Sequence, residues 1–361
     1  MIHFSNKSKN AALNVNQFHN RKKNRFKRFF ILIYAMFLQL KQALGRKHLA
    51  YGPKLKVVLF LLLINTLPTT AQTDIDAIMM GKNLFCTGLM YNGSSWNQYW
   101  EGTLKRENAN LGTVSTNMIG PMGSLGISSK LNVIFNLPYI KTKASAGQLK
   151  GFNGLQDLSL WLKWKPVKKK VGNGTLSIFT IGGLSSPVSD YVADYLPLSI
   201  GMRSRNISLR GMADYQVGVW TATISGTYVH RSNIEIDRTS YYTTEMHFSN
   251  EVYMPDAAQF NARMGYRGKT WVIEAVADNW TTLGGFDITR NNMPFPSNRM
   301  NMTRTGINMK YEPVSPKGLT LIGGANTTIA GRNAGKSTNI QAGLFYIFNL
   351  KSKKSEESKK K

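Results

Sequence analysis

Beyond Ala71 the chain is built almost entirely of strand-length segments in which apolar and polar residues alternate, and this pattern constrains the fold more than any other feature. VWTATISGTYVH sets Trp220, Ala222, Ile224 and Tyr228 against Thr221, Thr223, Ser225 and Thr227. AAQFNARMGYR sets Ala258, Phe260, Ala262, Met264 and Tyr266 against Gln259, Asn261, Arg263 and Arg267. LNVIFNLPYI gathers Leu131, Val133, Phe135, Leu137 and Tyr139. Side chains alternate across a strand, so each segment has one apolar and one polar face. Turn-like clusters delimit twelve such segments, near 83–95, 109–126, 130–143, 155–166, 174–184, 205–217, 219–236, 256–267, 269–282, 299–312, 318–330 and 338–350. A count of fourteen is the alternative.

Two features make this an inside-out pattern. The polar faces carry charges of both signs: Arg210 and Asp214, Arg263, Glu274 and Asp278, Arg304 and Lys310. The dry core of a sandwich would penalise these, whereas a wet barrel lumen can hold them. Aromatic residues sit near segment ends (Tyr139, Trp164, Tyr266, Tyr311, Phe348), where interfacial girdles belong. Long and short connections alternate, as in barrels with long outer loops and short periplasmic turns. The short ones are read as SSK, VKKKVGNG, Val217-Gly218, RGK and PVSPK. A two-residue turn at Gly268-Lys269 would place Arg263 opposite Glu274 and Gln259 opposite Asp278. The expected fold is all-β, a transmembrane antiparallel barrel of about twelve strands.

The segment before this region fits export. Lys54 and Lys56 precede the apolar stretch Val57–Leu67, and small residues follow at Thr69 and Ala71. That is the layout of a secretory signal peptide over 54–71, and the apolar stretch falls short of the roughly 20 residues a membrane helix needs. No Met lies between Met36 and Met79, so translation is expected to start at a non-Met codon read as Leu55. Residues 1–53 are then a basic extension that is not translated. The expected organisation continues with a barrel over 72–350 and a Lys-rich disordered tail over 351–361. Of the 46 Lys/Arg and 19 Asp/Glu, 13 bases lie in residues 1–56 with no acid, and the tail holds six Lys and two Glu. The barrel region therefore has a far smaller excess, 27 bases against 17 acids, and the high pI is no argument for a nucleic-acid partner.

GISSKLNVIFNLPYIKTKASAG (Gly126–Gly147) followed by GLQDLSLWLKW (Gly154–Trp164) resembles outer-membrane proteins of the "MetA-pathway of phenol degradation" family, relatives of the long-chain fatty-acid transporters. Asn97–Thr116 looks like the Bacteroidetes version of these barrels. The resemblance is strongest over Asp76–Trp164. It implies a barrel associated with small hydrophobic or aromatic molecules, and it supplies no site residues.

Functional residues are sought on the polar faces and in the loops. Arg210, Asp214, Arg263, Glu274, Asp278 and Arg304 are the lumen candidates. Trp96, Trp100, Glu101, Lys105 and Arg106 form an aromatic and charged group in the first long loop, either a gate or an interfacial belt. His247 and Ser249 are two apart, a spacing that allows a base and nucleophile pair. An acyl hydrolase is thus one alternative to a channel, a structural barrel another. GRNAGKS (Gly331–Ser337) has three residues between its glycines where a phosphate loop needs four. Cys86 is the single cysteine, so no disulfide framework or multi-Cys metal site is expected. No cofactor is expected. The expected partners are outer-membrane lipid, small hydrophobic solutes, and the barrel-insertion machinery acting on the terminal strand IQAGLFYIFNL.

Overall fold

The computed structural model describes residues 72–289 and 292–350. The expected signal peptide (54–71), the basic extension (1–53) and the Lys-rich tail (351–361) lie outside the described residues.

Twelve antiparallel strands form one closed barrel. In chain order they are β1 (Leu84–Trp96), β2 (Val114–Gly126), β3 (Leu131–Asn136 and Tyr139–Ala144), β4 (Asn153–Leu155 and Asp157–Val171), β5 (Gly174–Pro187) and β6 (Asn206–Val217). They continue with β7 (Trp220–Arg231), β8 (Ala257–Arg267), β9 (Trp271–Thr282), β10 (Asn301–Tyr311), β11 (Leu319–Arg332) and β12 (Thr338–Asn349). Each strand pairs with its sequence neighbours. Closure comes from β1, which pairs with β2 from Phe85↔Leu125 to Trp96↔Val114 and with β12 from Leu84↔Asn349 to Ser95↔Thr338. Closing the sheet removes the unpaired strand edges that a membrane interior cannot satisfy.

The faces are inverted relative to a soluble sandwich. Ile224 is 65% exposed on the outer surface while the adjacent Thr223 is 2% exposed. Leu209, Phe260, Met264, Ile307 and Leu344 also face outward, whereas Arg210, Asp214, Arg263 and Glu274 are buried inside. Exposed aromatics gather at the end where the chain enters and leaves. There Trp220 meets Tyr266 edge-on and Trp271 lies against Tyr311. Leu350 N donates to Asn83 O at 2.8 Å, so both ends of the barrel chain lie at this rim.

The connections at this rim are short, and the opposite end bears the long ones, the β11–β12 connection 333–337 excepted. Val217 pairs with Trp220 across Gly218-Val219, and Gly218 takes a left-handed φ of 58° that suits glycine. Two sequence-based expectations are corrected here. The Lys run of VKKKVGNG is strand rather than turn: β4 continues to Val171 and turns at Gly172-Asn173. The β8–β9 hairpin is wider than two residues, with Gly268 N donating to Trp271 O at 2.8 Å and Arg267 opposite Val272. Arg263 therefore faces Val276, and Asp278 faces Asn261. The slip is two residues, so every side chain keeps its face.

Two irregularities bear on the lumen. Pro138, which lacks an N–H, interrupts β3, and Leu137 N donates instead to Pro121 O at 3.1 Å. A bulge in β4 places Lys165 and Pro166 between the pairs Trp164↔Thr180 and Val167↔Ile178. Without that extra residue, simple alternation from Lys163 would turn Lys168 and Lys170 toward the outer face.

Candidate functional site

The lumen is the only extended polar interior that the fold creates among the described residues, and its lower half is occupied by the chain itself. Residues 72–82 precede β1 and fold back inside the barrel. The segment exits against Gly126, where a Cβ would sit 2.0 Å from Gly81 O. Asn83 N donates to Gly126 O at 2.8 Å at that point.

Asp76 organises the segment. Its Oδ2 accepts from Thr73 N and Thr73 Oγ1, each at 2.8 Å, and its Oδ1 accepts from Ile78 N at 3.1 Å. This is the local turn chemistry that Asp supplies to a chain without regular structure. The same carboxylate is the anchor to the wall. Lys163 of β4 donates to Oδ1 at 3.3 Å and to Thr73 O at 3.0 Å, and Lys310 of β10 donates to Oδ2. Lys163 is 0% and Asp76 1% exposed. Such burial of charge is tolerable because each group is paired and further hydrogen-bonded.

Asp74 makes the second attachment. Arg210 Nη1 donates to Asp74 Oδ2 and to Asp74 O, both at 3.1 Å. Arg210 also donates through Nε to Thr227 Oγ1 at 2.7 Å and through Nη2 to Gln259 Oε1 at 3.1 Å. Gln259 in turn donates to Asp278 at 3.3 Å, and Arg304 donates to both oxygens of Asp278 at 2.8 Å. A second network lies nearer the short-turn rim. Arg267 bridges Asp214 at 3.2 Å and Glu274 at 3.3 Å, and Arg263 donates to Glu274 at 3.2 Å. Thr223 Oγ1 donates to Asp214 at 2.7 Å.

The six lumen residues singled out in the sequence thus lie on the inner wall in two charge networks. Arg210 and Asp214 fall in different networks and do not pair with each other. Arg263 and Glu274 are joined diagonally rather than directly across. What the sequence reading missed is the occupant, Asp74 and Asp76, and Lys163, the wall residue that pairs with Asp76.

The remaining space divides by chemistry. Beside the occupying segment is a cavity of about 170 Å³ lined by the apolar Met90, Met118, Met122, Trp161 and Ile322 together with the charged Arg263, Glu274 and Lys310. At the short-turn rim a cavity of about 480 Å³ is lined by Lys165, Lys168, Lys170 and Arg267 together with Asp214, Phe179 and Ala77.

At the far end a long loop packs into the mouth of the barrel. The connection 188–205 packs onto inward-facing residues of β2 and β3. Leu198 joins Leu111 and Val114, and Tyr191 and Ile200 join Ile140. Thr142 Oγ1 donates to Leu198 O at 2.6 Å, and Tyr191 OH donates to Asp157 at 2.7 Å. Burial, with that hydrogen bond, holds the Tyr191 hydroxyl well above its usual range. The first long loop instead forms a hairpin, Gln98–Glu101 with Leu104–Glu107, carrying Trp100, Glu101, Lys105 and Arg106. Arg106 pairs with Glu101 at 2.9 Å, and the hairpin docks on 333–336 through Trp100 N to Ala334 O at 2.9 Å. Trp96 packs at its base beside Leu111, Val114 and Leu198.

His247 and Ser249 do not meet. His247 Nε2 is 2.8 Å from Thr243 Oγ1 and its ring stacks on Tyr241, while Ser249 Oγ accepts from Glu251 N at 3.0 Å. Within GRNAGKS, Asn333 ties loops together. It accepts from Gly102 N at 2.7 Å and Ile288 N at 3.2 Å, and donates to Asp287 and Arg299 O, each at 2.7 Å.

No family model matches the chain, and no curated protein matches it. Among solved structures it is similar to the COG4313 outer membrane channel from Pseudomonas putida F1, at 14% identity over 77% of this chain and 100% of that chain, with a TM-score of 0.61. It also matches the transport unit of the autotransporter AIDA-I from Escherichia coli, at 10% identity over 77% of this chain and 93% of that one, TM-score 0.39. OccK8 (OprE) of Pseudomonas aeruginosa matches at 8% identity over 74% and 98%, TM-score 0.31. The fold is that of an outer-membrane β-barrel, and the cell outer membrane is where such a cylinder, apolar outside and charged within, is stable.

Proposed function

We propose that this protein is a channel of the outer membrane that passes small, apolar solutes by diffusion through its lumen, with residues 72–82 as the element that restricts the path. The observation that carries this reading is the apolar side of the lumen. Met90, Met118, Met122 and Trp161 line the cavity beside the occupying segment, where a general porin has water and polar side chains. Methionine adapts to differently shaped apolar partners because it is unbranched and polarizable. The family resemblance in Gly126–Trp164 and the likeness to a channel fold point the same way. No catalytic role is assigned: His247 and Ser249 have separate partners, and the buried charges are engaged in holding the interior together.

The test is entry of an apolar fluorescent dye, N-phenyl-1-naphthylamine, into cells carrying the protein in an outer membrane that otherwise excludes it. Expression should accelerate entry, and the double substitution Met90→Asp with Met122→Asp should slow it while ion conductance in planar bilayers persists. Equal dye entry with and without the protein would sink the reading.

A further inference from the structure

We propose that the short-turn mouth of the barrel is an anion-binding vestibule that takes organic carboxylates, with Lys165, Lys168 and Lys170 as its charged floor and Arg267 at its inner end. The charges elsewhere in the lumen nearly cancel. Asp74, Arg210, Asp278 and Arg304 form one neutral network, and Asp214, Arg267, Glu274 and Arg263 form another. Asp76 faces Lys163 and Lys310, and Glu312 lies in the turn just beyond Lys310. The three lysines of β4 are different. Among the described residues none has a carboxylate within ion-pair distance, yet all three line the same cavity of about 480 Å³. Its single acid, Asp214, is already engaged by Arg267 and Thr223.

This concentration of charge is built by the fold. The bulge at Lys165-Pro166 resets the alternation, so that Lys168 and Lys170 join Lys165 on the inner face, opposite Ser177 and Thr175. A bulge that re-aims side chains is a frequent device beside functional sites. Like charges held together on a concave, low-dielectric wall focus the field into the cavity and raise the local concentration of counter-charged solute. Ala77, half-buried in the same lining with Phe179 packed beneath the surface, leaves a small apolar patch beside the charges for the body of such an anion. The predicted ligand is therefore a carboxylate on a short apolar body. Its place in transport rests on the channel reading above, but its binding does not.

The experiment uses the purified full-length barrel in detergent, with radiolabelled benzoate as probe and benzyl alcohol as its uncharged counterpart, in equilibrium dialysis. Benzoate should bind saturably and more tightly than benzyl alcohol. The triple substitution Lys165→Gln, Lys168→Gln, Lys170→Gln should weaken benzoate binding by about tenfold or more. The pair Lys130→Gln, Lys169→Gln, which lies in a turn and on the outer face, should leave it unchanged. In planar bilayers under a salt gradient the parent protein should favour anions, and the triple variant should shift toward cations. Absence of benzoate binding, equal binding of benzyl alcohol, or the same affinity in the triple variant would overturn the vestibule. Lysine-dependent benzoate binding without any conductance or dye entry would instead sustain the vestibule and overturn the channel.

Discussion

Asp76 is a single carboxylate on which two strands and a loop depend. It lies between Lys163 and Lys310, both of which are buried in the barrel interior. Asp76→Asn keeps the volume and removes the charge, leaving two cations without their counter-ion. Breaking a buried pair from one side costs roughly 3–5 kcal/mol, more than the local turn can absorb. The expected result is release of residues 72–82 from the lumen, read as new protease cleavage in that segment and raised single-channel conductance. Unchanged cleavage and conductance would show that Asp76 does not hold the segment. Glu312 provides a second test at this scale. It follows β10, its Oε1 has no hydrogen-bond partner, and burial pushes its carboxyl from 4.5 up to about 7, against the pull of Lys310. An acid raised in the folded state binds more protons folded than unfolded across that window, so the barrel should lose stability as pH rises from about 4.5 to about 7. Glu312→Gln should flatten that part of the urea-unfolding profile, and a retained slope would assign it to other groups.

At the level of strands, much was legible in the sequence. Period-two alternation in Trp220–Arg231 and Ala257–Arg267 identifies the faces, because burial on one side only leaves no other reading of such a pattern. Register was not legible. The β8–β9 pairing depends on how Gly268, Lys269 and Thr270 turn, and a hairpin two residues wider gives the same alternation. The β4 bulge was not read either, although Pro166 within a strand is a cue for one. The candidate site was legible as a wall of charges but not as an occupied lumen, since 72–82 bonds through side-chain turns that leave no periodic signature. The face assignment is testable by depth. Ile224→Arg, at the centre of β7, should cost roughly 2–4 kcal/mol in unfolding free energy, whereas Ile207→Arg, near the loop end of β6 on the same outer surface, should cost about 0–1. Equal penalties would mean that the band of lipid contact is displaced from the strand centres.

For the whole molecule, the barrel and its occupant are separable in energy. All twelve strand pairs close without any backbone contribution from 72–82 to the ladders. Deleting residues 73–80 should therefore leave a folded, heat-modifiable barrel, because water entering the lumen would solvate Lys163, Lys310 and Arg210. Its conductance should exceed that of the parent, and a deletion variant that fails to fold would make the segment part of the folding core. This contrasts with Asp76→Asn, in which the segment is present but mispaired.

The seam between β1 and β12 has a consequence for the order of biogenesis. Residues 72–82 are tethered to the first strand, while their anchors stand on the fourth, sixth and tenth strands, and the twelfth seals the cylinder. A segment so enclosed is most simply captured as the sheet curls, with Asp76 drawing Lys163 and Lys310 toward one another across the incomplete cylinder. On that route the segment is an internal template, and the last ladder to zip finds its two edges already brought near.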